Sequence, residues 1–175
     1  MTVHVRQFDR DKALEAILFI AHKLASPTFH SVSKMFYLAD KLHLQEYGRV
    51  ICGDRYIAME NGPVPSAIYD MMKVPSGRTS VDVDWDELIN EAFDVHYGRN
   101  ITPKRLPDMD LLAESEIECF TAAINEHGMK SFGQLSDLTH DSAWRSVGEN
   151  QVISMDEIAR TLPNVEEILS YLHAH

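Results

Sequence analysis

The clearest hydrophobic pattern in the chain lies between Val32 and His43. Apolar positions there recur every three or four residues, which is the spacing of a helix that buries one face. Tyr37, Asp40 and Leu44 widen this face, and Gly48 is the predicted C-terminal stop. We predict a central helix covered from more than one direction, with Ser31 as its N-cap. Its buried face contains Val32, Met35, Phe36, Ala39, Leu42 and His43.

The same periodicity predicts further helices before and after the central one. The first runs from Arg10 to Ala25. Later helices are predicted where a capping residue is followed three positions on by Glu or Gln. The predicted caps are Asp84, Ser115, Ser131, Ser154 and Asn164. The helix after Ser131 is expected to bury Phe132, Leu135 and Leu138.

Extended structure is predicted in two places. Residues 49–59 mix β-branched and aromatic side chains, and Asn61-Gly62-Pro63 then forms a turn, with Pro65 expected as the first residue of the next helix. Residues 93–97 alternate apolar and polar, so they and residues 101–106 form a predicted hairpin, with the 49–59 segment beside it. The predicted fold is a single α+β domain over residues 1–175, predominantly α-helical, with a small antiparallel sheet or hairpin.

Three runs in fixed order also indicate a family. They are YLADKLHLQEYG (residues 37–48), GDRYIAMENGPVPSAIYD (53–70) and LSDLTHDSAW (135–144). From about residue 13 to 147 the chain resembles the SocA-like antitoxins, whose module is the Panacea domain, which leaves residues 154–175 as a helical extension. The resemblance implies an intracellular bacterial or phage-encoded protein that binds and neutralises a toxin. In at least one branch it implies an adaptor that presents the toxin to a ClpXP-type protease.

Charge narrows the class of partner. The net charge is −11, and residues 1–60 hold eight Lys or Arg against seven Asp or Glu, whereas residues 61–175 hold eight against 20. An acidic surface repels phosphate backbones and attracts a basic protein, although acidity also serves plain solubility. The expected partner is therefore a basic toxin, and nucleic acid is disfavoured. A homo-oligomer is left open.

No apolar run approaches the length of a membrane span, since the longest covers six residues, Ala16 to Ala21, against roughly 20 needed. No signal peptide is indicated, because charged residues precede the first apolar stretch. We therefore expect a cytoplasmic protein that contacts no membrane, and no motif indicates a cofactor.

Two other classes of function remain open from the sequence. Asp40, His43 and His140 offer raw material for a metal-dependent hydrolase, although His43 lies within the apolar stripe, where a hydrogen-bonded core histidine is the default. A buried Asp40 paired with His140 is a separate hypothesis. The other class, which ranks ahead of the hydrolase, is a phage or mobile-element protein that binds another host factor.

The residues expected to form the partner-binding motif lie in the three family-like runs. Tyr56 and Tyr69, which flank the turn, are the preferred contact residues, because aromatic side chains suit a partner surface. Trp144 is expected to close the core and to donate its indole N–H to a nearby acceptor. The full set is Tyr37, Asp40, Tyr56, Asn61, Gly62, Pro63, Pro65, Tyr69, His140 and Trp144.

Overall fold

The structure, a computed structural model, describes residues 7–174. It confirms a predominantly helical α+β fold. The helices are α1 (Arg10–Lys23), α2 (Phe29–Tyr47), α3 (Ser66–Lys73), α4 (Val83–Ala92), α5 (Glu114–His127), α6 (Phe132–Thr139), α7 (Ser142–Arg145), α8 (Met155–Ala159) and α9 (Val165–Ala174). The strands are β1 (Tyr56–Met59), β2 (Gly62–Pro65), β3 (Phe93–His96), β4 (Asn100–Pro103) and β5 (Val152–Ile153).

Helix α2 is the central element, and its N-cap is Thr28, three residues before the predicted cap, Ser31. Thr28 Oγ1 accepts a hydrogen bond from Ser31 N at 3.1 Å, and Ser31 Oγ accepts one from Thr28 N at 2.9 Å. Ser31 is thus the reciprocal partner in a capping box rather than the N-cap. The predicted stop at Gly48 is confirmed, because Gly48 has φ 71° and closes the helix in the left-handed region.

Two hydrophobic clusters cover α2 from different sides, as the width of its apolar face predicts. The larger cluster contains Val32, Met35 and Phe36, packed with buried side chains of α1, α3, α4 and α5. The smaller cluster contains Tyr37 and Leu44, packed with buried side chains of β1, β5, α7, α8 and α9. The C-terminal helices therefore complete the second cluster, where they cover a face of α2 that would otherwise be exposed.

The strands form two separate antiparallel sheets. One has the order β2-β1-β5, with Tyr56 opposite both Pro65 and Ile153, and the other is the β3–β4 hairpin. The predicted hairpin is confirmed, but its predicted neighbour is wrong, because residues 56–59 pair with β2 and β5 instead. Pro65 ends β2 and stands one position before α3, whereas the sequence predicted it as the first helical residue.

Helix α4 begins at Val83, because Asp82 accepts the Trp85 N–H at 2.9 Å. The predicted cap, Asp84, is wrong by two residues. Several acidic residues in this stretch suit a cap, and tertiary contact selects among them: Asp82 also accepts from Arg10 of α1 at 2.7 Å.

A similar correction applies to α5, which begins at Glu114 rather than after Ser115. The fully buried Glu116 accepts the Ala113 N–H at 2.9 Å and forms ion pairs with Lys12 at 2.8 Å and Arg49 at 3.0 Å. These two cations fix the position of Glu116 and therefore the start of the helix. The predicted cap residues Ser131 and Ser154 are confirmed.

Within residues 7–174, no helix is both long enough and apolar enough to cross a bilayer.

Candidate protein-binding site

Two tyrosine–carboxylate pairs join the three sequence motifs. The Tyr56 hydroxyl donates to Asp40 Oδ2 at 2.5 Å, and the Tyr37 hydroxyl donates to Asp141 Oδ2 at 2.7 Å. The two tyrosine rings meet edge to face with centroids 5.1 Å apart, a geometry that adds about 0.5–1.5 kcal/mol beyond burial. The pairs therefore fasten β1 and the segment before α7 to the same side of α2.

The hypothesis that Asp40 pairs with His140 is wrong. Asp40 Oδ1 accepts the Ile51 N–H at 2.7 Å, and its other oxygen binds Tyr56. The His140 ring instead stacks on Trp144 with centroids 3.9 Å apart, and its buried Nε2 has no hydrogen-bond partner among the described residues. The residue that reaches α2 is the next one in the chain, Asp141, which also caps α7.

The electrostatic state of Asp40 follows from its burial. It is 4% exposed, and burial raises the pKa of Asp40 to about 6, although the hydrogen bonds from Ile51 and Tyr56 counteract part of that rise. Burial also raises the pKa of Tyr56, and burial together with the Asp141 carboxylate raises the pKa of Tyr37. Both hydroxyls therefore stay protonated and act as donors.

Side chains from α2 and α7 hold the turn between β1 and β2. Lys34 Nζ donates to the Pro63 carbonyl at 2.9 Å, and the Trp144 indole N–H donates to the Met59 carbonyl at 2.8 Å, which confirms its predicted role. Gly62 passes close to this helical layer. With φ at 115°, a Cβ there would lie 2.6 Å from Thr139 Oγ1 and 2.9 Å from Lys34 Nζ. The turn is therefore a rigid feature of the surface.

Asp54 explains how α3 can begin directly after Pro65, which offers no capping side chain. Its carboxylate accepts the backbone N–H groups of Ala67 at 3.1 Å and Ile68 at 2.8 Å. These are donors that the first turn of a helix leaves without intrahelical partners. Asp54, which the sequence analysis did not single out, thus fixes the hairpin and α3 as one unit.

The residues of the hydrolase alternative do not converge. His43 is fully buried, and its two ring nitrogens lie 2.9 Å from the Arg49 carbonyl oxygen and 3.0 Å from Ser115 Oγ. This is the hydrogen-bonded core histidine expected by default. Among residues 7–174, Asp40, His43 and His140 belong to no cluster of three or more groups suited to holding a metal ion.

A groove of about 970 Å³ opens beside the β1–β2 turn. Its walls are the start of α2, the β1–β2 turn, the β3–β4 turn and the start of α6. The β3–β4 turn is fixed to α2, because the Phe29 N–H donates to the Arg99 carbonyl at 3.0 Å. Twenty residues line the groove, close to the 20–30 that one partner contributes to an interface of standard size.

Exposed aromatic side chains lie along the groove. Phe132 is 56% exposed and stacks on His30 with ring centroids 3.8 Å apart, and Tyr97 is 92% exposed. The predicted burial of Phe132 is wrong, and so is that of Leu138, which is 40% exposed. In this short helix Leu135 alone of the three reaches the core, so Phe132 is left at the surface of the groove.

The charges along the groove are opposite in sign to those of the chain as a whole. Its lining includes the basic residues Lys34, Arg78, Arg99 and Lys130 against a single acidic residue, Glu60. Burial, together with the Lys34 charge, lowers the pKa of His30 to about 4, so its ring is neutral near pH 7. The groove is therefore a basic region on an acidic protein.

The structure separates the predicted contact residues into two groups. Asn61 and Tyr69 line the groove, and Trp144 lines an adjoining hollow of about 430 Å³. Tyr56 is 1% exposed and donates to Asp40, so its side chain is not at the surface of this structure. The remaining motif residues do not line the groove and are buried or half-buried: Tyr37, Asp40, Gly62, Pro63, Pro65 and His140.

Comparison with known proteins gives one finding. The sequence model of the family described as "Antitoxin SocA-like, Panacea domain" matches residues 32–145. The match begins in α2 and ends with α7, so it includes the motif network and most of the elements that form the groove. Neither a curated protein nor a solved structure gave a match to the chain.

Proposed function

Because the chain belongs to the SocA-like antitoxin family with a Panacea domain, we propose that it neutralises a toxin by direct protein contact and that the groove beside the β1–β2 turn is the contact face. The observation that carries this proposal is the construction of the groove. The three motifs are joined by a hydrogen-bonded framework. Helix α2 and the β1–β2 turn belong to that framework and also form walls of the groove, along which Phe132 and Tyr97 are exposed.

The framework favours recognition over chemistry. The Asp40 and Asp141 carboxylates of the network bind the tyrosine hydroxyls or the backbone. Phe132, Tyr97 and Tyr69, in contrast, line an open groove. Aromatic anchors on a preformed surface supply much of the affinity of protein interfaces, because few side chains must be ordered on binding. The net charge of −11 adds long-range attraction for a basic toxin.

The groove makes a specific prediction for toxin neutralisation in cells. Co-expression of this chain with the toxic product of the adjacent reading frame should restore growth, and Phe132→Ala should lose most of that protection, because it removes the exposed aromatic anchor. Leu88→Ala is the matched control: Leu88 is 47% exposed on α4 and does not line the groove. Growth is scored at equal levels of the three variants.

Equal protection by the wild type, Phe132→Ala and Leu88→Ala would contradict the groove as the contact face. Absence of protection by the wild type would contradict the antitoxin role towards that product. The toxin level in the same cells separates two modes of action. A constant level indicates neutralisation by steric block, whereas a fall that requires a ClpXP-type protease indicates an adaptor that uses the same face.

A further inference from the structure

The sign of charge in the groove is the strongest feature that toxin neutralisation alone does not explain. The chain has 27 acidic and 16 basic side chains, yet the groove is lined by four of the basic ones and one acidic residue. Charged groups concentrated against the overall field of a protein create a local potential that selects ligands of the opposite charge. Here that ligand would be anionic.

Of the four basic side chains, two make a hydrogen bond within the fold of residues 7–174 and two make none. Arg78 donates to the Gly98 carbonyl at 2.5 Å, and Lys34 donates to the Pro63 carbonyl. Arg99 is exposed and Lys130 half-buried, and neither side chain has a hydrogen bond or ion pair among the described residues. Both are therefore available to a ligand without loss of an existing contact.

Two buried polar side chains of the groove, Lys34 and Ser33, also have hydrogen-bonding capacity that the described residues do not use. Lys34 is 1% exposed, and its Nζ donates to one acceptor, the Pro63 carbonyl, while burial lowers the pKa of Lys34 to about 7. Beside it, the fully buried Ser33 lines the groove with an Oγ that has no hydrogen-bond partner in the described part of the chain. Buried polar groups usually have partners, so these two side chains leave hydrogen-bonding capacity unused in the wall of the groove.

We propose that the groove recognises an acidic segment of the partner toxin, with carboxylates bound by Arg99 and Lys130 at the rim. This inference rests on the proposed function and names the chemistry of the segment that the site takes. The groove lining also includes apolar residues, Val64 and Leu135 among them. A peptide supplies apolar and acidic side chains together, which matches this mixed lining.

The acidic segment and the toxin as a whole are attracted by different charges of this protein. The net charge of −11 acts at long range and favours a basic protein, whereas the groove acts at contact and favours carboxylates. A nucleic acid is a poorer fit, because its strand would continue from the groove onto an acidic surface that repels phosphates.

The test measures fluorescence anisotropy of overlapping short peptides that together cover the product of the adjacent reading frame, alongside binding of the intact product. We expect the peptides that bind to be rich in Asp and Glu, and their affinity to fall as salt is raised. The Arg99→Glu, Lys130→Glu double variant should weaken binding by about tenfold or more. Arg160→Glu, which reverses an exposed charge away from the groove, should change it by less than about twofold.

The other outcomes distinguish failure of the acidic-segment inference from failure of the antitoxin proposal. If the intact product binds and the double variant binds it equally well, the acidic-segment inference falls while the antitoxin proposal stands. Selection of basic peptides, or binding of an RNA oligonucleotide in place of any peptide, also overturns the inference. Failure of the wild type to bind the intact product overturns both. Circular dichroism confirms that the double variant is folded, as expected for side chains without internal partners.

Discussion

Replacing Asp40 with alanine should lower the free energy of unfolding by about 2–6 kcal/mol at about pH 5, because the Ile51 N–H and the Tyr56 hydroxyl would both lose their acceptor, at roughly 1–3 kcal/mol each. Both donors lie in the buried layer between α2 and β1. The value is measured by urea denaturation of the wild type and the variant under identical conditions. A difference below about 1 kcal/mol would contradict the role given to this carboxylate.

Asp40→Asn is the matched control, since it keeps the side-chain volume and an acceptor for Ile51. It should lower the free energy of unfolding by less than alanine does. Because asparagine does not titrate, comparison with the wild type isolates the pH dependence that Asp40 contributes. The pKa of Asp40 is raised in the folded state to about 6 from an ordinary value of 3.8. Its contribution to stability is therefore fully present below about pH 4 and is lost as the pH rises through about 6.

The wild type should accordingly lose about 3 kcal/mol relative to Asp40→Asn between about pH 3 and 7, from roughly two pKa units at 1.36 kcal/mol each. Burial raises the pKa of Asp54 as well, but Asp54 is present in both proteins and cancels in the difference. A stability difference that does not change with pH would show that Asp40 titrates normally.

Gly62→Ala should destabilise the protein by about 2–6 kcal/mol, combining roughly 1–3 kcal/mol of backbone strain with 1–3 kcal/mol of overpacking. The strain arises because φ is 115°, and the overpacking arises because the new Cβ would lie 2.6 Å from Thr139 Oγ1 and 2.9 Å from both Cε and Nζ of Lys34. Thermal or urea unfolding gives the magnitude. The variant should also bind the toxin more weakly, because the turn forms one wall of the groove.

Gly77→Ala separates the two causes. Gly77 has a positive φ of 73°, but its Cβ would meet nothing within 4 Å. We therefore expect a loss of about 1–2 kcal/mol from backbone conformation alone. If Gly62→Ala cost no more than Gly77→Ala, the close approach of the turn to α6 and α2 would have no energetic consequence.

The sequence predicted the features that depend on local chemistry. Helical periodicity identified α2, Gly48 supplied its left-handed end, and the capping pattern located Ser131 correctly. Each of these follows from residues a few positions apart. Trp144 also behaved as predicted, because a largely buried indole N–H needs an acceptor wherever the fold supplies one.

Long-range partners were not predictable in the same way. Periodicity gives the face on which Asp40 lies but not which distant donor reaches it, so Tyr56 and Ile51 were missed and His140 was chosen in place of its neighbour Asp141. Strand β5 has two residues, too few for an alternating pattern to indicate it. The segment that contains β1 was therefore placed beside the β3–β4 hairpin instead of between β2 and β5.

The groove depends on the same missing information. The total charge of the chain predicted a basic partner, but it gave no sign that Arg99 and Lys130 line one groove beside the β1–β2 turn. Phe132 was assigned to the core because a phenylalanine near a helix start fits an apolar stripe. Its exposure depends on how α6 packs against α2, because that packing buries Leu135 and leaves Phe132 at the surface.

Hydrogen–deuterium exchange of the chain, alone and in complex with the toxic product of the adjacent reading frame, tests toxin binding at the groove most directly. The account predicts slowed exchange in the β1–β2 turn, the β3–β4 turn and the start of α6, with α4 and α9 unchanged. Protection confined to α4 or α9, or a toxin that forms no complex with the folded chain, would contradict it.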